Sequence, residues 1–451
     1  MKNYFLPITK LTLFVAAILL HAPALYAQSK TNCYEYNHEG IPTDVKSIKA
    51  KTVSINNGKY DLSWLDKAIK TKKVLMLGEN HWMSTIKAME EDIIFYANEK
   101  GSFPVLGLEI SYSATPFVNA FINCQPGSDC DPLLKLLSPH FSSKESVGLL
   151  RKLQQWNYDN PTKKITVVCT DVEQDLAFTL HQAIVPFFKE LGDKKLFAMI
   201  NEQKQFTDAI VSYMDSVVQN APDMVKVKDK PYIDKSYLQN VLSNFKVRYN
   251  AYATSLKQGE DSFEALFMEA RLEQIIRNLT NDAVFGKLIK EHNSILVGGA
   301  NHMRVYQAGP GDEDAAAWEG WYLAHNYAPT KGKVYSVKLV NLSYNIPETY
   351  LEQEYETDNY SLKYLISGYK NCFGSDKAGS YKLIDGLTPV TAALVPAFKQ
   401  NQDQPVRLLG HFEMKKLAKK LPSVKEDANW KNFYAHDMVI VMPTATLFQM
   451  L

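Results

Sequence analysis

The 451-residue sequence lacks the short signatures of several large enzyme classes. It contains no G-x-S-x-G element, which argues against a serine hydrolase of that class. It has neither a P-loop nor a dinucleotide-binding fingerprint. No H-E-x-x-H motif occurs, and no cysteine pairs have zinc-finger spacing. Repeats and low-complexity tracts are also missing, so the function has to be sought in less common patterns.

Positive and negative charges are nearly balanced. The chain has 50 Lys+Arg against 49 Asp+Glu, a formal net charge of +1. Such a balance gives no case for nucleic acid or for an anionic membrane surface as a partner. Beyond the N-terminus no apolar run is long enough to span a bilayer, so we expect no membrane span once that segment is removed.

The first 27 residues have the pattern of a secretory signal peptide. Lys2 and Lys10 precede an apolar stretch from Leu11 to Leu20, and small residues lead to a predicted cleavage site after Ala27. An uncleaved anchor is the alternative, although the apolar stretch is short for one. Loss of two lysines and no acid leaves 48 basic against 49 acidic residues, a net charge of −1. We expect an exported protein, in the periplasm or outside the cell.

Cysteine is scarce, with five residues in the whole chain. Cys124 and Cys130 flank a Gln-Pro-Gly-Ser-Asp turn, which is compatible with a small-loop disulfide in an oxidising compartment. Cys169 lies inside a predicted buried strand and is interpreted as a core residue rather than a nucleophile. Cys33 and Cys372 could pair with each other or be free.

Two short apolar strands run directly into Gly-x-x-His. The first is Val74–Leu77, followed by Gly78–His81; the second is Ile295–Val297, followed by Gly298 and then Gly299–His302. Continuous apolar runs of this length, bounded by glycine, are typical of strands buried on both faces of a parallel sheet. Ligands of α/β proteins bind beyond the carboxyl ends of such strands. The sequence therefore predicts that the two histidines share one site.

Two further predicted strands end on carboxylates. Val105–Leu108 runs into Glu109, and Ile165–Thr170 runs into Asp171. An aspartate at such a position is as often a helix cap as a functional residue. Glutamate and histidine are poor caps, so four strand ends that carry Asp, Glu or His favour a functional site.

These residue types suit acid–base or metal chemistry. Imidazole titrates close to neutral pH and can act as a base or ligate a metal. Glu79 could orient His81, activate water or bind a metal, and Glu109 could pair with a histidine or with a second carboxylate. The tentative metal ligands are His81, Glu79, Glu109 and His302, a set that suits Zn²⁺ or Mn²⁺. Metal-free acid–base catalysis is the alternative.

A cation is predicted in the helix Asp261–Thr280. Arg271, Gln274 and Asn278 form a polar line along it, at i, i+3 and i+7. The usual interpretation of such a line is a solvated face. If it looks toward the strand ends, the guanidinium could stabilise an oxyanion or hold a substrate carboxylate or phosphate.

The order of these patterns predicts an α/β fold. We expect a mostly parallel central sheet flanked by helices, with an inserted all-helical subdomain and a C-terminal mixed extension. The first helix, Ser84–Lys100, has Glu90 and Glu91 among its polar positions. The predicted bounds are 1–27 for the signal peptide, 28–71 for an N-terminal lead-in, 72–174 for the first part of the core, 175–292 for the helical insertion and 293–451 for the second part of the core with its extension. The helices predicted in the insertion are His181–Leu191, Phe197–Gln219, Lys235–Gln258 and Asp261–Thr280.

Together the two Gly-x-x-His motifs and the intervening Glu109 resemble the erythromycin esterase-like and ChaN-like superfamily, which includes the TraB/Tiki proteins. The order, spacing and strand context match from Lys72 to Val340. Further points are similar to the erythromycin esterase branch: Thr170–Gln174, Arg271 with Asn278, Gly320–Leu323 and His436–Ile440. The resemblance implies an α/β core with a helical lid. It also implies a hydrolytic site built from Glu79, His81, Glu109, Arg271 and His302.

The branches of this superfamily imply different activities. The esterase branch implies that the first histidine activates water against a macrolide lactone. The Tiki branch implies metal-dependent peptide cleavage, and the ChaN branch implies haem or iron binding. The sequence departs from the esterase pattern in two places, because Asn80 alone separates Glu79 from His81 and Leu272 follows Arg271 where an acid is usual. Both departures weigh against macrolides as the substrate.

We therefore expect an exported hydrolase that attacks an ester, lactone or amide with water. Its substrate would be a small-molecule ester or lactone, or a peptide. One alternative is a haem- or iron-binding protein that uses a histidine as axial ligand. Others are a metal-dependent peptidase and a fold that has lost its chemistry and serves an interaction.

Overall fold

The computed structural model describes part of the chain. The described residues are 51–451 except 82, 204–205, 260–261, 308–317, 342–343, 347–380, 384–403, 409, 413–414, 416–418, 420–433, 443–444 and 447–451. The predicted signal peptide, Cys33 and Cys372 lie outside the described residues.

The described chain contains both strands and helices. The strands are β1 (Lys51–Thr52), β2 (Ile55–Asn56), β3 (Lys59–Tyr60), β4 (Val74–Glu79), β5 (Val105–Ser111), β6 (Thr166–Asp171), β7 (Lys226–Val227), β8 (Lys230–Asp234), β9 (Ser294–Gly299), β10 (Val334–Asn341), β11 (Tyr344–Ile346), β12 (Tyr381–Leu383), β13 (Val406–Leu408), β14 (Met438–Met442) and β15 (Ala445–Thr446). The helices are α1 (Asp66–Thr71), α2 (Ser84–Gly101), α3 (Thr115–Ile122), α4 (Asp131–Leu136), α5 (Lys144–Asp159), α6 (Leu176–Phe178), α7 (Val185–Glu190), α8 (Lys195–Gln203), α9 (Asp208–Asn220), α10 (Lys235–Gln258), α11 (Phe263–Thr280), α12 (Gly286–Glu291) and α13 (Glu319–His325). A π-helical segment, Thr179–Ile184, joins α6 to α7.

A central sheet carries the site. Its order is β1-β13-β14-β10-β4-β9-β5-β6, and the six strands from β14 to β6 run parallel. Strands β4, β9 and β14 are buried along their whole length, as expected for apolar strands covered on both faces. The predicted α/β fold with a mostly parallel sheet is confirmed. A small mixed sheet, β12-β11-β15, forms part of the C-terminal region.

The strand register brings the two Gly-x-x-His motifs level with each other. Gly78 pairs with Gly298 and Glu79 pairs with Gly299, so β4 and β9 end at the same height. On the other side of β9, Leu108 pairs with Val297, which places Glu109 one residue beyond that pairing. Three predicted site segments thus reach the same edge of the sheet.

The described residues fall into two compact units. One consists of Ile110–Pro116 and Cys169–Ile275, and the other comprises the rest of the described chain. The first contains β7, β8 and the helices α6 to α10, whereas β4, β9, β10 and β14 belong to the second. The predicted bounds of the insertion, 175–292, stay a prediction.

Two features of the segment 175–292 differ from the prediction. It is not all-helical, because β7 and β8 form an antiparallel hairpin. These strands have two and five residues and include two lysines and a proline, so they lack the apolar pattern that predicts a strand. The predicted helix Phe197–Gln219 is in fact two helices, α8 and α9. The side chain of Thr207 accepts a hydrogen bond from the Ile210 amide and so begins a new helix.

The cysteines that the structure describes behave as their surroundings suggest. Cys124 and Cys130 form a disulfide. Cys169 is free and buried in β6, as expected of a core residue. None of the helices in the described ranges has the length and apolar character needed to cross a membrane.

Candidate active site

The site begins where β4 and β9 end. Backbone hydrogen bonds tie the two following turns together, because the Ala300 amide donates to the Glu79 carbonyl at 3.0 Å. The His302 amide donates to the Gly299 carbonyl at 2.9 Å, which closes the second turn. The two histidines are therefore carried by turns of defined geometry rather than by free loops.

His81 is held by the carboxylate two residues before it. Its Nδ1 lies 3.0 Å from Glu79 Oε1. Burial would lower the pKa of His81, but the hydrogen bond and charge of Glu79 raise it overall. An ionised carboxylate can only accept, so Nδ1 carries a proton and the neutral ring has its lone pair on Nε2. About 45% of the His81 side-chain surface is exposed, so this nitrogen can reach solvent or substrate.

Glu79 has a second, cationic partner that the sequence did not reveal. Lys87 Nζ lies 2.5 Å from Glu79 Oε2 and 2.7 Å from Glu90 Oε2. Burial by itself would raise the pKa of Glu79, but Lys87 and His81 hold it well below its usual range. Burial and the charge of Glu79 raise the pKa of Glu90 well above its usual range. Glu79 is thus ionised at neutral pH.

The position of Glu90 and Glu91 differs from the prediction. Both were expected among the polar positions of the first helix, yet both are buried. Each has a lysine partner, Lys87 for Glu90 and Lys152 for Glu91, which offsets the cost of removing a carboxyl group from water.

His302 lies between two carboxylates. Its Nδ1 is 2.8 and 3.0 Å from the two oxygens of Glu319, and its Nε2 is 3.2 Å from Glu109 Oε1. The edge of the Trp318 ring packs against the imidazole, with a centroid distance of 4.7 Å. The other oxygen of Glu109 accepts the Gly299 amide at 2.6 Å. His302 is buried and fixed in orientation by these contacts.

The α-carbon of Gly299 marks the point where the three groups meet. A Cβ placed there would lie 3.1 Å from His81 Nε2, 3.5 Å from Glu109 Oε2 and 3.5 Å from His302 Cδ2. The two histidines and the glutamate therefore face one small space. Because glycine has no side chain, the three groups can approach the backbone this closely.

The donor atoms of the tentative metal ligands are already engaged with each other. Both ring nitrogens of His302 face carboxylates, and Glu79 Oε2 contacts Lys87. Across the residues that the structure describes, no group of three or more His, Cys, Asp or Glu side chains is arranged to hold a metal ion. The four residues do not fit a metal in this arrangement, and a metal role for them stays a prediction.

Arg271 and Asp171 form a pair of their own in the first compact unit. Arg271 Nε and one terminal nitrogen donate to the two oxygens of Asp171 at 2.8 and 2.9 Å. The line formed by Arg271, Gln274 and Asn278 is buried rather than solvated, because α11 packs that face against protein. Asp171 does not cap a helix; Asp175 caps α6 instead. A catalytic role for Arg271, Asp171 or Asn278 stays a prediction.

His436, from the C-terminal motif, has a structural setting. It is fully buried, with Nδ1 2.6 Å from the Ser336 hydroxyl, which itself donates to the Met303 carbonyl at 2.5 Å. Burial and the nearby charges of Lys338 and Arg304 hold the pKa of His436 well below its usual range. This neutral histidine connects β14 and β10 to the turn that carries His302.

Comparison with solved structures places this architecture among known folds. A protein from Bacillus cereus superposes with a TM-score of 0.55 and 14% identity, over 92% of this chain and all of its own. A succinoglycan biosynthesis protein superposes with a TM-score of 0.53 and 14% identity, over 90% of this chain and 97% of its own. A mutant erythromycin esterase in its open conformation gives 0.51 and 13%, over 88% and 98%. The chain has the erythromycin esterase-like fold.

At these identities the similarity establishes the fold and nothing finer. The resemblance predicted from the two Gly-x-x-His motifs is confirmed at that level. The sequence itself matches no family model and no curated protein. The chemistry of the chain therefore has to be argued from its own residues.

Sequence reasoning missed Lys87, Glu90 and Glu319. Lys87 and Glu90 are spaced i, i+3 in α2, the helix that directly follows the first motif, and such a pair is usually a solvent-exposed ion pair. Glu319 stands immediately before Gly320, where the similarity to the esterase branch begins again. That position in the motif was the available signal for Glu319.

Proposed function

We propose that the protein is an exported hydrolase that uses water to cleave an ester, lactone or amide. The observation that carries the proposal is the convergence of His81 Nε2, Glu109 and His302 on Gly299. Two histidines with carboxylates behind them, facing one space, are an arrangement for acid–base catalysis.

His81 is the general base in this proposal. Its Nε2 removes a proton from water as the water attacks the substrate carbonyl. Glu79 receives the Nδ1–H hydrogen bond and stabilises the imidazolium that forms. The raised pKa of His81 makes it a stronger base than free imidazole, at the cost of being protonated below that pKa.

His302 is the general acid in this proposal. Its two ring nitrogens lie within ion-pair distance of Glu109 and Glu319. The imidazolium can donate to the oxygen or nitrogen of the leaving group and later recover a proton from water. Arg271 is assigned no step, since Asp171 already binds its guanidinium through two hydrogen bonds.

The substrate class follows from the same site. An erythromycin esterase of similar fold supports a small-molecule ester or lactone. The predicted signal peptide supports a substrate met outside the cytoplasm, and a peptide is the alternative.

The test is hydrolysis by the mature protein from Gln28 onward. Activity is measured on aryl esters, lactones, a macrolide and peptides, for the wild type and for His81→Ala and His302→Ala. We expect each substitution to lower kcat/KM by roughly 10² or more, the usual contribution of a general acid or base. We also expect kcat/KM of the wild type to fall as the pH drops through the raised pKa of His81, because protonation removes the base.

The control is His292→Ala, which removes an exposed histidine at the end of α12. It should hydrolyse the same substrates at the wild-type rate. Folded protein without hydrolysis on the whole panel, or hydrolysis that survives both active-site substitutions, would refute the proposal.

A further inference from the structure

We propose that Lys87 and Glu90 are positioning residues that turn the Glu79 carboxylate so that the proton of neutral His81 stays on Nδ1. The inference rests on the proposed function, because it explains how Nε2 is kept available as the base. It goes beyond that function by assigning roles to two residues of α2 that are not among the groups converging on Gly299.

The geometry divides the two oxygens of Glu79 between two partners. Oε2 lies 2.5 Å from Lys87 Nζ, and Oε1 lies 3.0 Å from His81 Nδ1. A carboxylate held at both oxygens cannot rotate to offer a different geometry to the imidazole. Lys87 contacts Glu79, and Glu79 contacts His81. Lys87 therefore acts on His81 through Glu79.

Burial makes the contribution of Lys87 large. Only 8% of the Glu79 side-chain surface and 15% of the Lys87 surface are exposed. Removing the ammonium would leave this buried carboxylate without its cation and release its Oε2 side, so that the group can rotate. A carboxylate that has rotated no longer presents Oε1 to Nδ1. The ring then loses its preference for the Nδ1 proton, and Nε2 is no longer kept free as the base.

Glu90 fixes Lys87 from the other side. Its Oε2 lies 2.7 Å from Lys87 Nζ, and the two residues are one turn apart on α2. The side chain of Glu90 is almost completely buried, so its position is set by packing rather than by solvent. Lys87, a long and flexible side chain, is therefore held at the point where it meets Glu79.

The chain offers a matched control on the same helix. Glu91, next to Glu90, is also buried and forms an ion pair with Lys152 of α5. Removing the ammonium of Lys152 leaves a buried carboxyl group of α2 without its cation, as in the test variant. Neither residue contacts Glu79 or His81 in any described hydrogen bond.

The experiment compares Lys87→Met with Lys152→Met in the mature protein. The ¹⁵N shifts of the His81 ring report which nitrogen carries the proton, at a pH above the pKa of His81 and without substrate. The His81→Ala spectrum assigns the signals. We expect the proton on Nδ1 in the wild type and in Lys152→Met, and on Nε2 or shared between both nitrogens in Lys87→Met.

The kinetic expectation is a loss in kcat. Loss of the carboxylate that orients a catalytic histidine lowers kcat by about 10⁴ in serine proteases, and an indirect residue should cost less, at least roughly tenfold. KM should change little, because Lys87 is not among the groups that converge on Gly299, where the substrate is proposed to react. Lys87→Arg restores the cation and should recover part of the rate.

Glu90→Gln supplies a second variant if Lys87→Met does not fold. It keeps the volume and weakens one anchor of Lys87, so a smaller shift in the same direction is expected. An unchanged His81 tautomer in the folded variants would overturn the proposal whether or not the protein hydrolyses anything. A shifted tautomer with unchanged kcat would also overturn it, whereas a failure of the hydrolase proposal alone would leave the tautomer result intact.

Discussion

At the scale of single residues, Gly299 is as important to the site as the side chains around it. It ends β9, donates its amide to Glu109 and lets the two histidines approach the backbone closely. A methyl group there would meet His81 Nε2 at 3.1 Å, closer than ordinary packing allows. The glycine of the second motif therefore matters because it has no side chain that would displace His81.

Gly299→Ala should therefore lower the rate of hydrolysis strongly and the free energy of unfolding only moderately. The added Cβ displaces His81 or occupies the position of the attacking water, and small displacements of a catalytic group cost about 10² in rate. The stability cost should be about 1–3 kcal/mol, as for other overpacked sites. Hydrolysis rates and urea unfolding measure both effects.

Gly148→Ala is the matched control for this substitution. Gly148 lies inside α5, with no atom within 4 Å of an added Cβ. Alanine there should raise the free energy of unfolding by about 0.5–1 kcal/mol and leave the rate unchanged. Equal rates for Gly299→Ala and wild type would contradict the placement of the reaction at Gly299.

At the scale of elements, Glu173 connects the turn that follows β5 to the π-helical segment Thr179–Ile184. It accepts hydrogen bonds from the Ser113 amide at 3.0 Å, the Ser113 hydroxyl at 2.6 Å and the Thr179 hydroxyl at 2.7 Å. Burial raises the pKa of Glu173 to about 7, and the hydrogen bonds only partly oppose that rise. The carboxyl group is fully buried and so is largely protonated below neutral pH.

This raised pKa makes stability depend on pH. A carboxyl group whose pKa is higher in the folded state than in the unfolded chain stabilises the fold fully below the unfolded pKa. That contribution is lost as the pH rises from 4.5, its ordinary value, through about 7. The loss is on the order of a few kcal/mol.

Glu173→Gln should remove this part of the pH dependence. Glutamine stays neutral, so the variant should lose less stability than the wild type between pH 5 and pH 8. Urea unfolding at the two pH values measures the difference. Identical pH dependence in variant and wild type would show that Glu173 does not titrate in this range.

At the scale of the whole molecule, the question is whether the site acts with a bound metal or haem. Its donor atoms are satisfied by each other, with His302 between Glu109 and Glu319 and His81 on Glu79. We therefore expect elemental analysis of the mature protein to show less than stoichiometric metal, and an absorption spectrum without a Soret band. The double variant His81→Ala/His302→Ala should give the same result.

Bound metal or bound haem would each favour a different function. Stoichiometric metal that is lost in the double variant would favour the metal-dependent peptidase. A haem band lost in that variant would favour the binding protein.

The sequence by itself determined the parallel α/β core and the edge of the sheet where the site lies. Those features follow from continuous apolar runs and from motifs whose residues are adjacent in the chain, so local patterns suffice. The contact between His81 and Glu79 is of this kind, two residues apart. The hairpin β7–β8 escaped prediction because its short polar strands have no such pattern.

Only the tertiary structure decided which charged groups face each other. Glu109 reaches His302 across 193 positions of sequence, and the buried partnership of Arg271 with Asp171 spans 100. Lys87 and Glu90 look like a surface pair until the packing of α2 buries them against Glu79. A charge's partner depends on which faces are pressed together when the chain folds, and residue type alone does not encode that.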